Sequence, residues 1–237
     1  MTRRRWIAEH WDEATASISG TQAEHMARVL RAHPGMEADV VAGGRVFHAQ
    51  VAAVALHEIR FNLIAEVEAD PALPVTLVMS IYKFDRMEWA IEKCTELNVT
   101  TILPVIAQRT ETHLALAADK RVERWRRISR EAAEQSRRKA PPEIGKPIKL
   151  SGALTCKAGL RIALAEAQGE KGLSEVLRSR QGVPSLALAV GPEGGWTADE
   201  VQAFDQSEWI AASLGHTILR AETAAIAAMA VARASCT

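Results

Sequence analysis

From residue 75 onward, short apolar runs alternate with stretches whose apolar positions recur at helical spacing. The runs at residues 75–81, 101–106, 160–165 and 185–190 have the length and boundaries of buried strands. Residues 209–214 read as a last strand. Asp85 opens a helix that runs to Leu97 and places Met87, Ala90, Ile91, Cys94 and Leu97 on one face. Trp89 of that helix is expected in the core. A long basic helix follows over residues 118–139, with Trp125, Ile128 and Ala132 as its buried side. Residues 221–234 close the chain as an Ala-rich helix, a composition that favours helix intrinsically. Strands and helices in this alternation predict an α/β fold, a mainly parallel sheet with helices on both faces.

Residues 1–68 have another texture. Short runs at 38–41, 46–51 and 60–64 are separated by turn signals such as Gly43-Gly44, which predicts a small β-rich domain. One helix is expected at residues 21–31, with Thr21-Gln22-Ala23-Glu24 as its capping box and Met26, Val29 and Leu30 on one face. Pro71 and Pro74 mark residues 69–74 as a linker, so the expected domains are 1–70 and 75–237.

Composition narrows this only a little. With 237 residues, 48% apolar and 24% charged, the chain matches ordinary globular domains large enough to enclose a core. No run approaches the roughly 18 apolar residues of a membrane span. The basic start leads into His10, Asp12 and Glu13 rather than a signal core, so a cytoplasmic protein without membrane attachment is expected. Cys94, Cys156 and Cys236 are odd in number and lack ligand spacing, which points to reduced thiols and no metal. Net charge is zero, but residues 120–149 hold eleven Lys/Arg against four Asp/Glu, a local +7. Residues 1–70 carry seven Arg against ten acidic residues, three of those arginines adjacent at 3–5. Local basicity of this kind keeps nucleic acid open as a partner.

The candidate chemistry lies in two glycine loops. Gly191-Pro192-Glu193-Gly194-Gly195-Trp196 leaves the strand at 185–190, and Thr197-Ala198-Asp199-Glu200 then forms a capping box. That places the loop at the carboxyl end of a strand, where open α/β sheets bind ligands. The second is Leu214-Gly215-His216-Thr217-Ile218-Leu219-Arg220, also between strand and helix. Two such loops from neighbouring strands would line one pocket. The alternative at the first loop is a tight strand-to-helix connection with no ligand. Neither loop has the Gly-x-Gly-x-x-Gly dinucleotide pattern, and the chain has no Gly-x-x-x-x-Gly-Lys-Ser/Thr phosphate loop.

Gly191-Pro192-Glu193-Gly194-Gly195, with Leu214-Gly215, Ile218-Leu219-Arg220 and Glu222-Thr223-Ala224, resembles the SPOUT-superfamily methyltransferases of the ribosomal RNA small subunit methyltransferase E type. The likeness continues through Lys83, Arg86, Glu88-Trp89, Lys93, Glu96-Leu97, the stretch 131–137 and Pro142, and at the N-terminus through His25, Val29-Leu30-Arg31 and Pro34-Gly35. The chain departs from the family in having Asn98 where glycine is usual and Met36 where an acidic residue is usual. Asn tolerates the left-handed region, so Asn98 can end its helix.

The resemblance implies S-adenosylmethionine-dependent methylation of uridine N3 in 16S ribosomal RNA, on the RNA or the small ribosomal subunit, with no DNA partner. It also implies a SPOUT domain with a C-terminal trefoil knot, an N-terminal PUA-like RNA-binding domain and a homodimer. Gly191, Pro192, Glu193, Gly194, Gly195, Leu214, Gly215, Ile218 and Leu219 would bind the cofactor. Uracil N3 carries a proton, so a base and a cation near the developing oxyanion are needed. Glu222 and Arg220 are the candidates, although Glu222 could instead serve the helix dipole. RNA contacts fall to Arg3, Arg4, Arg5, His25, Arg28, Arg31, Arg137 and Arg138, with Arg28 and Arg31 on one face by i, i+3 spacing. Arg121, Arg124 and Arg127 read as a solvated charged face. Ribose 2′-O-methylation is the alternative within the superfamily, although Leu219-Arg220-Ala221-Glu222-Thr223 stands where those enzymes usually have an asparagine motif. A non-catalytic RNA-binding assembly factor is the alternative from another class.

Overall fold

A computed structural model describes residues 5–55, 57–67, 74–165, 171–180 and 182–235. The chain divides into two compact units, Met1–Pro71 with Ala133–Pro141, and Ala72–Ala132 with Pro142–Thr237. Most of the expected linker, residues 69–73, lies outside the described residues, as do Arg3, Arg4 and Cys236.

In the first unit the elements are β1 (Arg5–Ile7), β2 (His10–Trp11), β3 (Thr15–Ser19), α1 (Gly20–Arg28), β4 (Glu37–Ala42), β5 (Arg45–Val54) and β6 (Glu58–Val67). The sheet runs β1-β4-β5-β6-β3-β2. Its two end strands are one stretch of chain, broken only at Ala8-Glu9, whose amides donate to the carbonyls of Val41 and Ser17. One continuous stretch of chain therefore joins the two ends of the strand order, pairing with β4 at its start and with β3 at its end. Trp6, Ile18, Val40, Phe47, Ile59 and Phe61 form the core of this unit, with Ala23 and Met26 of α1 against them.

Helix α1 is shorter than its sequence pattern suggests. It ends at Arg28, Arg31 has φ 53°, and Pro34 forbids continuation. Val29 and Leu30 are consequently exposed at 64% and 42% rather than on a buried face. The expected capping box at Thr21 does not form, because the N-cap is Ser19 and makes no side-chain cap bond. Glu24 instead pairs with His57 Nδ1 at 2.9 Å.

In the second unit the elements are β7 (Val75–Ser80), α2 (Phe84–Glu96), β8 (Thr101–Ile106), α3 (Thr112–Ala117), a 3-10 turn (Ala118–Arg121), α4 (Val122–Gln135), β9 (Glu143–Ile144), β10 (Ile148–Lys149), α5 (Leu150–Ala153), β11 (Leu160–Leu164), α6 (Leu173–Ser179), β12 (Leu186–Val190), α7 (Ala198–Gln206), β13 (Ile210–Ala212) and α8 (Ala221–Ser235). The sheet order is β10-β8-β7-β12-β11-β13, with β9 also on β8, and every pairing among these strands is parallel. Alternate residues face opposite ways, so both faces need cover. Leu77, Met79, Leu186, Leu188 and Val190 meet α2, α4, α6 and α8 on one face. Val78, Ala163, Ala187 and Ala189 meet α5, α7 and three aromatic rings on the other. Small residues there let the rings of Trp196, Phe204 and Trp209 lie close to the sheet. Phe204 meets its two neighbours edge to face at 4.9 and 5.3 Å, contacts that add about 0.5–1.5 kcal/mol each beyond burial.

Several expectations shift here. Asp85 lies in the first turn of α2 rather than at its N-cap, which is Lys83. Asn98 does end that helix left-handed, at φ 69°. Trp89 is 48% exposed, because the buried stripe of Met87, Ala90, Ile91 and Cys94 leaves it on the opposite side of α2. The expected helix at 118–139 is two pieces, the 3-10 turn and α4, and it stops at Gln135, with Arg137 at φ 61° just past the end. No helix among the described residues is long and apolar enough to cross a membrane.

Candidate functional site

The loop after β12 is held by its own side chains. A Cβ on Gly191 would lie 3.3 Å from the Trp196 indole, closer than side chains ordinarily pack, so the ring would have to give by a few tenths of an ångström. Trp196 Nε1 donates to the carbonyl of Leu164 at the end of β11, at 3.1 Å. Gly195 has φ 70°, and its N–H closes a turn onto the Pro192 carbonyl at 2.8 Å. The Gly194 carbonyl accepts from Arg109, which reaches over from the segment after β8. The capping box at Thr197 forms, with Thr197 N–H donating to Glu200 at 2.9 Å and Glu200 N–H to Thr197 Oγ1 at 3.3 Å. Glu200, 3% exposed, also accepts the Gln108 amide at 2.8 Å and so fixes that third segment.

The loop after β13 is anchored at one end and open at the other. Ser213 bonds to Lys171 and Leu173 through its backbone, and its hydroxyl accepts from Gly215 N–H at 3.0 Å. Gly215 has φ 121°, a conformation only glycine adopts readily. Beyond it, the backbone amides and carbonyls of residues 216–219 make no hydrogen bonds among the described residues. Ile218 is 84% exposed. The two loops do not come from neighbouring strands, as the sequence suggests, because β11 lies between β12 and β13.

Arg86 of α2 connects them. Its Nη1 lies 3.3 Å from Glu193 Oε1 in the first loop and 3.6 Å from Glu222 Oε1 at the start of α8, just past the second. The Glu222 side chain is 8% exposed, and its Oε2 is buried with no hydrogen-bond partner among the described residues. A buried carboxylate oxygen without a donor costs on the order of 1–3 kcal/mol or more, and native structures rarely leave one. Tyr82, at the end of β7, is nearly fully buried and donates to Met79 Sδ at 3.4 Å. Burial pushes its phenol well above the usual range, and Cys94, Glu222 and Glu193 add to this. The site thus offers an orphan acceptor, a run of free backbone groups and an exposed aliphatic side chain. A ligand with donors, acceptors and an apolar ring matches that set. A cavity of about 360 Å³ also opens in the first unit, beside Trp11, Arg60 and Asn62, but none of the described residues that line it has an orphaned buried side-chain atom.

The remaining predicted residues fall into groups. Arg220 is exposed at the start of α8, and its carbonyl accepts from Ala224 N–H. His25, Arg28 and Arg31 are exposed, but the helix ends at Arg28, so Arg28 and Arg31 share no helical face. Arg137 pairs with Asp39 at 2.8 Å, and Arg5 donates to the Arg137 carbonyl. Burial lowers Arg138 to about 10. Arg124 is not merely solvated, since it forms a two-point pair with Glu88 at 2.7 and 2.8 Å, and Arg121 covers the Phe84 ring at 4.8 Å. Sequence reasoning missed the site roles of Tyr82, Arg86 and Arg109. The usable signal was position, because each follows closely on β7 or β8 at a carboxyl strand end, the ligand-binding end of such sheets.

Residues 69–233 match the RNA methyltransferase domain family. The chain is 33% identical over 222 residues to the ribosomal RNA small subunit methyltransferase E of Synechocystis, covering 92% of this chain and 72% of that protein. It is 32% identical over 227 residues to the Mycobacterium tuberculosis protein of the same name, covering 91% and 85%. Among solved structures, it resembles a ribosomal RNA small subunit methyltransferase E from Neisseria gonorrhoeae bound to S-adenosyl methionine, with TM-score 0.86, 30% identity and coverage of 98% and 97%. A methyltransferase of Legionella pneumophila in complex with the same cofactor superposes at TM-score 0.83, with 28% identity and coverage of 98% and 96%. Matched over nearly its whole length in sequence and in fold, the chain belongs to the ribosomal RNA small subunit methyltransferase E family of RNA methyltransferases.

Proposed function

We propose that this protein methylates N3 of a uridine in 16S ribosomal RNA, with S-adenosylmethionine as methyl donor. The observation that carries the reading is the buried Glu222 carboxylate, open at Oε2 beside two loops of free or glycine-rich backbone. Those features suit the cofactor. The unbonded amides and carbonyls of residues 216–219 are free to meet its adenine and ribose edges, and Leu214 and Ile218 offer apolar contact. Gly191, Pro192, Glu193, Gly194, Gly195, Gly215 and Leu219 complete the proposed wall. The cofactor supplies an electrophilic methyl group on a sulfonium. The chain must then align the uridine and handle its N3 proton, and alignment alone is worth up to about 7–11 kcal/mol. Glu222 accepts that proton through Oε2. The exposed guanidinium of Arg220 stabilises the negative charge that develops on the uracil oxygens.

The same reading assigns residues 1–70 to a PUA-like RNA-binding domain and 75–237 to a SPOUT domain with a trefoil knot, acting as a cytoplasmic homodimer. Support for the SPOUT assignment comes from the strand order, in which β12 is inserted between β7 and β11 and β13 returns beyond β11. Glu222→Gln should lower kcat by about 10²-fold or more, the usual contribution of a positioned base. Calorimetry should show S-adenosylmethionine binding within a few-fold of wild type. Full methylation by the variant removes Glu222 as base. Wild-type protein that does not bind the cofactor at all refutes the enzyme reading. Ribosomal RNA from cells lacking the gene should lose one N3-methyluridine by mass spectrometry.

A further inference from the structure

Two carboxylates, Glu193 and Glu222, meet the same guanidinium nitrogen, and one of them is more than nine-tenths buried. Desolvation and a like charge both favour protonation of a carboxyl, whereas an opposite charge within about 4–6 Å favours ionisation. Among the described residues, Arg86 is the cation paired with either group. Among the described residues no other cation lies within ion-pair distance of Glu222: Arg220, two residues before it, is exposed, and so is Lys83 at the N-cap of α2. Tyr82 is a buried neutral phenol, β12 presents only apolar side chains, and α6 turns Glu175 and Arg178 to solvent. On α2 itself, Glu88 is taken by Arg124, and Lys93 by Glu92 and Glu96.

We infer that Arg86 is a positioning residue for this site: its guanidinium keeps the Glu222 carboxylate ionised, engages Oε1 and leaves Oε2 open to the ligand, while tethering the glycine loop through Glu193. The inference rests on the proposed role of Glu222 as base, but it makes a claim about the carboxylate that is measurable without turnover. Placed in the first turn of α2, Arg86 spans two loops whose parent strands are not adjacent in the sheet. Orientation and ionisation of the base would then depend on one side chain that takes no proton itself.

Carboxyl-detected NMR of the full chain with labelled glutamate follows the titration of Glu222, with Glu222→Gln assigning its signal. In Arg86→Met the midpoint should rise by about one pH unit or more, and in Arg86→Lys it should stay near wild type. The acid limb of the pH–rate profile should move up by the same amount. Far-UV circular dichroism and cofactor titration on both variants show that the fold and the pocket persist. An unchanged Glu222 titration in Arg86→Met overturns the inference. A shifted titration with an unshifted rate profile upholds the role of Arg86 and instead removes Glu222 as the base. Loss of activity that lysine does not restore marks Arg86 as structural and also overturns it.

Discussion

At the scale of single residues, the glycine loop is built more by packing than by openness. Gly191 has an ordinary backbone, yet a methyl group there would press on the Trp196 indole at 3.3 Å. That indole is fixed from the other side by its hydrogen bond to Leu164 and its edge contact with Phe204. It has nowhere to retreat. Gly191→Ala should therefore destabilise the protein by about 1–3 kcal/mol, the usual cost of overpacking, and weaken cofactor binding in parallel. Urea unfolding and calorimetry read the two effects. In a Trp196→Phe background, which lacks the contacting Nε1 and Cε2 atoms, the same change should cost less. Equal costs in both backgrounds would show that the indole is not what Gly191 accommodates. Gly195 and Gly215 differ in kind, since their φ values of 70° and 121° are backbone requirements independent of neighbours.

At the scale of elements, one sequence signature met two fates. Thr21-Gln22-Ala23-Glu24 and Thr197-Ala198-Asp199-Glu200 are the same capping pattern, but only the second caps a helix. At Thr21 the helix has already begun at Gly20, and Glu24 turns to His57. At Thr197 the chain leaves a tight turn, and Glu200 satisfies both its own cap and the Gln108 amide. Thr197→Ala should cost about 1 kcal/mol, whereas Glu200→Ala should cost more because it strands two amides. The reverse order in denaturant melts would mean that Glu200 is not the keystone of that junction. The parallel strands were legible because each is a nearly continuous apolar run, and β8 matches its expected bounds at both ends. The face of α2 was legible too, and its stripe already excluded Trp89, whose bulk alone suggested burial. Strands β1 and β2 were not legible, since three and two residues carry no measurable period. Of the candidate site, the glycine loops and Glu222 stand out in sequence. Arg86 joins them only in three dimensions, from 107 residues away along the chain.

For the whole molecule, zero net charge conceals a division among the arginines that sequence cannot make. Arg137 spans 98 residues to pair with Asp39 of the first unit, and burial lowers the proton affinity of Arg138. Arg28 and Arg31 are exposed and have no ion-pair partner among the described residues. Counting basic residues would treat all four alike as RNA ligands. If RNA binding is electrostatic, removing one cation that neutralises a phosphate should flatten the log–log salt dependence by roughly 0.7 for single strands and 0.9 for duplex. Arg28→Ala and Arg31→Ala should each produce such a decrement at unchanged stability. Arg137→Ala should leave the slope nearly intact and lower stability by roughly 1 kcal/mol or less, as expected for a half-exposed pair. Fluorescence anisotropy over a salt series, paired with urea melts of the same proteins, separates these outcomes. If Arg137→Ala flattened the slope without touching stability, Asp39 would be only a resting partner, displaced by RNA on binding. If Arg28→Ala and Arg31→Ala left the slope unchanged, the end of α1 would lie outside the RNA footprint.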